Sequence, residues 1–124
     1  IAADMLSDIE PPILDGPCAV FRKTLEGLMT LAENGAITTV VPGHGAIARG
    51  EAECIARLLQ DGLYLTELEV GVNLAIENGQ SLETVQEALT AMEYTGKGSP
   101  TYPTEKFHLE NIRFAYEGAI QPRR

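Results

Sequence analysis

The sequence predicts a helix-rich α/β domain with a few short strands. Apolar residues recur at helical spacing over four stretches of the 124-residue chain. Two short runs, at residues 1–4 and 38–41, have the composition of buried strands, and a predicted helix lies between them. Because two short strands form only a marginal sheet, the alternative that helices dominate the fold stays open.

The size and charge of the chain limit its class of function. A length of 124 residues suits one compact domain with its own core. Eighteen acidic residues against nine basic ones give a net charge of −9, which repels phosphate backbones and anionic lipid, so we expect neither a nucleic acid nor a membrane as partner. Cys18 and Cys54 form no CxxC pair, so we expect reduced, buried thiols, and the compartment stays open.

The first half of the chain alternates strand, helix and strand. Residues 1–4 are predicted to end a buried strand and to enter a loop rich in proline, which cannot be regular. A helix is predicted from about Cys18 to the stop signal Asn34-Gly35, with an apolar stripe of Phe21, Leu25, Leu28 and Ala32. Thr38 to Val41 are predicted to form the second strand, whose hydrogen-bond ladder Pro42 cannot extend.

The second half is predicted to be helical. A long helix begins at Gly50 or Glu51 and ends at Asn78-Gly79, with an apolar face of Ile55, Leu58, Leu59, Leu63, Val72 and Ile76. Gly62 and Gly71 each weaken it by up to ~1 kcal/mol relative to Ala, which predicts a kink or a break.

Two shorter helices follow the long one. Ser81 is predicted to cap a helix whose stripe is Leu82, Val85, Leu89 and Met92. After a loop, Thr104 is predicted to cap the last helix, on which Leu109, Ile112, Tyr116 and Ala119 share a face.

The candidate chemistry begins with Pro42-Gly43-His44-Gly45, a tight turn at the end of a strand. Neutral imidazole is a common zinc ligand, and flanking glycines let a metal approach, although such a tetrapeptide alone is more often a plain surface turn. Asp4 also ends a predicted strand. If the two strands run parallel, Asp4 and His44 face one site at the same sheet edge; otherwise Asp4 merely starts a polar loop.

These residues carry a resemblance to a known family. AADMLSD with its proline-rich loop, the helix AVFRKTLEGLMTLAENG, TTVVPGHG and the tail FHLENIRFAYEGA together resemble the C-terminal half of metallo-β-lactamase fold hydrolases, the superfamily of glyoxalase II and lactonases. The resemblance implies an αβ/βα sandwich, of which residues 1–49 supply strands and a helix with the PGHG turn. Residues 50–124 would form a helical C-terminal extension of the same domain.

The resemblance also implies a metal site. Asp4 matches the aspartate that bridges two metal ions, usually zinc, and His44 matches the last histidine ligand of the second ion. The family reaction is hydrolysis of a small-molecule ester, thioester, lactone or related bond by metal-bound water, whose pKa zinc lowers to ~7.

Two departures from the family pattern matter. Ala3 precedes Asp4 where the family commonly has glycine, which is a mild change. The ligand motif HxHxDH is absent, since His44 and His108 are the two histidines of the chain. With no initiator Met either, we expect a C-terminal fragment of a longer enzyme, inactive alone and without tightly bound zinc.

Several residues keep two interpretations. His108 is a candidate for lining a substrate pocket, but a packed or solvated histidine at the helix start is favoured. Asn111 is expected to hydrogen-bond a neighbouring loop such as PGHG. Glu67 and Glu69 lie two residues apart, on different helix faces, and are expected to be solvated rather than an acid/base pair.

Two classes of function therefore remain. The first is a fragment of a metal-dependent hydrolase with Asp4 and His44 as part of its site. The second is a non-catalytic helical interaction or regulatory module. In either case apolar faces left uncovered favour a homo-oligomer.

Overall fold

The computed structural model describes residues 5–7, 11–14, 16–43, 46–90 and 104–120, with side chains of the last range from residue 106. Within these ranges the chain is a mostly helical small domain with four helices and a two-stranded antiparallel hairpin. In chain order the elements are α1 (Cys18–Glu33), β1 (Thr39–Val40), β2 (Ala48–Arg49), α2 (Glu51–Glu77), α3 (Leu82–Leu89) and α4 (Thr104–Ile120). The predicted helix-rich character is confirmed, and the strand predicted at residues 1–4 lies outside the described residues.

α1 and α2 both end at the tripeptide Glu-Asn-Gly, with the same hydrogen bonds. After α1, the Gly35 N–H donates to the Ala32 carbonyl at 3.1 Å and the Ala36 N–H to the Leu31 carbonyl at 2.9 Å. The equivalent two bonds close α2, and both glycines have positive φ, 75° at Gly35 and 69° at Gly79. Glycine adopts this left-handed conformation without a Cβ clash, so both predicted stop signals are confirmed.

The beginnings of the shorter helices follow the prediction closely. The Thr84 N–H donates to Ser81 Oγ at 3.3 Å, which confirms the predicted cap of α3. The prediction for α4 is wrong by one residue: Thr104 is the first residue of the helix rather than its cap. Sequence patterns locate a helix end only to within one or two residues, because capping and helical residues overlap in composition.

α2 runs through Gly62 and Gly71 for 27 residues without interruption, so of the predicted kink or break the break is wrong, and the kink stays a prediction. Its core face holds Leu58, Leu65 and Leu68, each at most 2% exposed. Full burial of one leucine contributes about 1.5–3 kcal/mol, which exceeds the cost of about 1 kcal/mol for each helical glycine.

The buried side of α2 differs from the predicted one at two positions. Leu58 and Val72 lie in the core as expected, but Leu59 and Leu63 are about half exposed. Successive residues turn by about 100° on a helix, so Leu59 and Leu63 point away from the side that carries Leu58. The predicted apolar face therefore combined residues from two sides of α2, and the side with Leu59 and Leu63 is half exposed.

The hairpin lies against the first turns of α2. β1 pairs with β2 in the register Thr39 with Arg49 and Val40 with Ala48. Cys54 Sγ on α2 lies 3.9 Å from the Ala48 carbonyl oxygen, and both residues are fully buried. β1 is two residues shorter than predicted and β2 was not predicted.

α2 is the centre of the domain, because α1, α3, α4 and the hairpin all contact it. The Arg22 guanidinium on α1 forms an ion pair with Glu69 on α2 at 2.6 Å, so Glu69 is not simply solvated as predicted. In the part of the chain that the structure describes, no helix combines the length and apolar character needed to cross a lipid bilayer.

Candidate functional site

Of the three residues predicted to belong to a site, the structure describes His108, whereas Asp4 and His44 lie outside the described residues. The candidate site is therefore built from His108 and from the described residues that neighbour Asp4 and His44 in the chain.

His108 is buried where α4 meets α2 and the end of α3. Its Nδ1 lies 2.7 Å from the hydroxyl oxygen of Tyr64, and its Nε2 lies 2.7 Å from the carbonyl oxygen of Leu89. A carbonyl oxygen only accepts, so Nε2 carries the proton and donates to Leu89. In the neutral ring Nδ1 then accepts the proton of the Tyr64 hydroxyl.

Burial lowers the pKa of His108 below its ordinary value of 6.5, and the hydrogen bond to Leu89 opposes this shift only in part. Burial disfavours the charged ring because the surrounding protein replaces water poorly as a solvent for a cation. The imidazole is therefore neutral near pH 7, as the direction of its hydrogen bonds requires.

Asn111 continues the same network one turn further along α4. Its Nδ2 donates to the Pro12 carbonyl at 2.7 Å and to the Tyr64 hydroxyl at 3.1 Å. Its Oδ1 accepts from the Leu14 N–H at 2.9 Å. Asn111 therefore bonds a neighbouring loop as predicted, but this loop is the proline-rich one rather than PGHG.

We call Tyr64, His108 and Asn111 the α4 network. His108 and Asn111 are three residues apart and therefore share one face of α4, which is turned towards Tyr64 on α2. The network ties α4 to α2, to the end of α3 and to residues 11–14. These contacts describe a structural junction, and a role of His108 in substrate binding stays a prediction.

A second arrangement holds the chain just after Asp4. The Leu6 N–H donates to Asp61 Oδ2 at 2.7 Å, and Arg57 Nη1 donates to the Leu6 carbonyl at 2.8 Å. Leu6 has φ 60°, a left-handed conformation that costs a residue with a Cβ roughly 1–2 kcal/mol. Asp61 and Arg57, one turn apart on α2, bind both backbone groups of Leu6 and so fix this conformation.

Sequence reasoning missed Asp61 and Arg57. Asp61 is fully buried at helical spacing from Leu58, Leu65 and Leu68. An acidic residue on the apolar stripe of a helix is the signal that could have identified it, since a buried carboxylate needs a partner. Its partner, a loop residue 55 positions away, has no signature in the sequence.

The described residues lack the cluster of ligands that a metal centre requires. Among them, no group of three or more His, Cys, Asp or Glu side chains could hold a metal ion. Both ring nitrogens of His108 already face protein partners. The described side chains alone therefore do not fit a zinc centre, and the assignment of Asp4 and His44 as ligands stays a prediction.

Comparisons of the chain with protein-family models, with curated proteins and with solved structures found no match. Its function is therefore inferred from its own residues, contacts and charges.

Proposed function

We propose that this chain is the C-terminal part of a metal-dependent hydrolase of metallo-β-lactamase fold. The intact enzyme would cleave an ester, thioester, lactone or related bond of a small molecule with metal-activated water. Asp4 and His44 would contribute to a zinc site that is completed by ligands from elsewhere in the enzyme. The proposal starts from the sequence resemblance, and one observation in the structure is its main support.

That observation is that the segments next to Asp4 and His44 are attached to the same part of α2. Leu6, two residues after Asp4, is held by Arg57 and Asp61, while Ala48, four residues after His44, contacts Cys54. Cys54 and Asp61 are seven residues apart on α2, which corresponds to about 10 Å along the helix axis.

Chain length then permits the two predicted ligands to meet. An extended chain spans up to about 3.5 Å per residue, so Asp4 lies within roughly 7 Å of Leu6 and His44 within roughly 14 Å of Ala48. A shared site for the two side chains is therefore compatible with the described contacts.

The tail of the chain supplies a second line of support. His108 and Asn111 belong to the stretch FHLENIRFAYEGA, which carries part of the resemblance. Asn111 bonds Pro12 and Leu14, in the loop that follows Asp4. Asn111 thus holds the segment that leads away from the proposed ligand, and His108 bonds Tyr64, whose hydroxyl accepts from Asn111.

Two ligands are too few for a catalytic zinc ion, which ordinarily has three from the protein. The proposal accordingly assigns the HxHxDH ligands to a segment encoded upstream of Ile1. The described residues alone do not complete such a site.

Reading the upstream frame and assaying both forms of the protein would test this proposal. We expect the frame to encode HxHxDH and the longer protein to bind zinc and hydrolyse ester or lactone substrates. Asp4→Asn and His44→Ala should each lower zinc affinity by more than the roughly 10–100-fold typical of losing an outer-shell partner. Glu33→Gln, at the end of α1, is the matched control and should leave both properties unchanged.

The 124-residue chain alone is expected to bind no stoichiometric zinc and to show no turnover. Stoichiometric zinc together with turnover from this chain alone would contradict the fragment proposal. An upstream frame without HxHxDH would contradict the hydrolase proposal itself.

The alternative function is a non-catalytic helical interaction module. The specific observation in its favour is the half-exposed row of apolar side chains on α2, which includes Leu59 and Leu63. In that case substitutions of Leu59 or Leu63, rather than of Asp4 or His44, would abolish binding to a partner protein. Comparing the two sets of variants separates the alternatives.

A further inference from the structure

The backbone of Leu6 has a conformation that is unfavourable for leucine. Its φ of 60° lies in the left-handed region, and among the described residues no other non-glycine residue has a positive φ. In this region the Cβ atom crowds the following carbonyl oxygen. Such a conformation persists only where the surrounding structure holds it, and strained residues of this kind cluster at functional sites.

Two charged side chains of α2 hold Leu6 in this conformation. Its N–H donates to Asp61 Oδ2 at 2.7 Å, and its carbonyl oxygen accepts from Arg57 Nη1 at 2.8 Å. Both backbone groups of one residue are therefore bonded to neighbouring turns of a single helix. We call Arg57 and Asp61 the Leu6 clamp.

Stability alone does not explain the Leu6 clamp. Asp61 is fully buried, and removing a carboxylate from water has a large free-energy cost that its hydrogen bonds must offset. Apolar residues in place of buried charges often leave a protein as stable as before or make it more stable. Glycine at position 6 would also adopt a φ of 60° without strain. A simpler packing is thus available to the fold, which indicates that the clamp serves a purpose beyond stability.

The segment that the clamp holds begins immediately after Asp4. Met5 packs against the hydrophobic core, and Leu6 and Ser7 are each 3% exposed. Consecutive Cα atoms lie about 3.8 Å apart, so the Cα atom of Asp4 is within roughly 7.6 Å of the Cα atom of Leu6. Fixing Leu6 therefore restricts where the backbone of Asp4 can lie relative to α2.

We propose that Arg57 and Asp61 are positioning residues, which orient Asp4 towards the zinc ion of the intact enzyme through the backbone of Leu6. This inference rests on the proposed function, because it takes Asp4 to be a metal ligand. A ligand works well only when it is held within about 0.5 Å of its productive position. Two backbone hydrogen bonds to a helix supply such a restraint, and neither Arg57 nor Asp61 needs to contact the ion.

Hydrogen exchange, followed by NMR, tests the clamp in the 124-residue chain without metal. The Leu6 amide should exchange slowly, because it is buried and donates to Asp61. Asp61→Ala should speed its exchange by at least about tenfold relative to the amide of Leu68, a buried residue of α2 that serves as the reference. Asp61→Asn keeps an oxygen acceptor and should speed the exchange less. A Leu6 amide that exchanges as fast as an exposed one in the unmodified chain would overturn the proposal.

The zinc affinity of the longer protein distinguishes positioning from simple anchoring. Asp61→Ala and Arg57→Ala should each weaken it by about 10–100-fold, the range for losing a group that orients a ligand. Asp61→Asn should retain more of the affinity than Asp61→Ala. Val72→Ala is the matched control, because Val72 is 1% exposed on the same helix, about three turns from Asp61. This control should lower the urea midpoint and leave the zinc affinity unchanged.

Circular dichroism checks that each variant is folded. Arg57 is only half-buried, so Arg57→Ala still tests the clamp if Asp61→Ala does not fold. Zinc binding that both alanine variants leave unchanged would overturn this inference and leave the proposed function standing. A longer protein that binds no zinc would overturn the proposed function and this inference with it.

Discussion

At the scale of single residues, the α4 network is determined by what each atom is able to donate or accept. The Leu89 carbonyl fixes the proton of His108 on Nε2, and this makes Nδ1 the acceptor for Tyr64. The Tyr64 hydroxyl oxygen is then able to accept from Asn111. A buried polar chain of this kind is favourable only while its members keep these protonation states.

Stability should therefore fall as the pH falls below about 6.5. Because the pKa of His108 is lower in the folded protein than the ordinary value of 6.5, the unfolded chain binds more protons in this range and acid favours unfolding. Neutral His108 contributes its full stabilisation above pH 6.5. Below that pH, a difference of one bound proton between the folded and unfolded states lowers the free energy of unfolding by at most about 1.4 kcal/mol per pH unit. Urea unfolding at pH 7.5, 6.5 and 5.5, spaced evenly about this value, measures the slope.

His108→Gln is the control, because glutamine does not titrate. Whatever the stability of this variant, its free energy of unfolding should depend much less on pH between 7.5 and 5.5. An NMR titration of the unmodified chain gives an independent reading, as the two histidines produce two sets of ring signals. A ring that titrates at or above 6.5 in the folded protein and belongs to His108 would contradict the prediction.

At the scale of elements, α2 tolerates two glycines for different reasons. At Gly71 an added Cβ would lie 3.1 Å from a terminal carbon of Leu89, so α3 approaches α2 closely there. At Gly62 an added Cβ would meet nothing within 4 Å. The packing of the chain thus explains the glycine at position 71 but not the one at position 62.

Gly62→Ala and Gly71→Ala should accordingly differ in stability. Alanine in a helix interior is favoured over glycine by about 0.5–1 kcal/mol, and Gly62→Ala should gain that amount. Gly71→Ala should gain less, or lose stability, because the side chain of Leu89 must move. Urea unfolding of the two variants provides the comparison, and an equal gain at both sites would show that the contact with Leu89 costs nothing.

The sequence patterns predicted the helices well because each depends on local rules. The stop signals at Gly35 and Gly79 and the cap at Ser81 involve only residues within one turn. β2 was missed because Ala48 and Arg49 are not typical strand residues, and their pairing with β1 is a tertiary contact. The half-exposed positions on α2 were misplaced because apolar spacing alone does not distinguish its two apolar sides.

The candidate site was predicted only in part for a similar reason. Periodicity placed His108 near the start of α4, but its partners Tyr64 and Leu89 lie 44 and 19 residues away. The contact of Asp61 with Leu6 spans 55 residues. Such pairs are set by how the elements pack, and no spacing within one element reports them.

At the scale of the whole molecule, a net charge of −9 on 124 residues opposes compaction through self-repulsion. Ion pairs such as Arg22 with Glu69 lie at the surface and offset little of it, since such a pair contributes about 0.2–1 kcal/mol. The acidic character of the chain therefore lowers its stability at low salt.

Added sodium chloride should raise the stability of the protein. Salt screens the repulsion that the excess of carboxylates causes, and we expect this effect to outweigh the weakening of surface ion pairs. The urea midpoint should therefore shift upward between about 0.01 M and 0.1 M salt, where the Debye length falls from about 30 Å to about 10 Å. Chloride is preferred to sulfate, because sulfate also strengthens apolar burial. A midpoint that falls with salt would show that the surface ion pairs outweigh the repulsion.

The hydrogen bonds of Asn111 affect when residues 11–14 can fold during synthesis. Asn111 bonds Leu14 and Pro12, which precede it by 97 and 99 residues. During synthesis, residues 11–14 leave the ribosome long before their hydrogen-bond partner has been translated. These residues therefore reach their final position only after α4 has emerged.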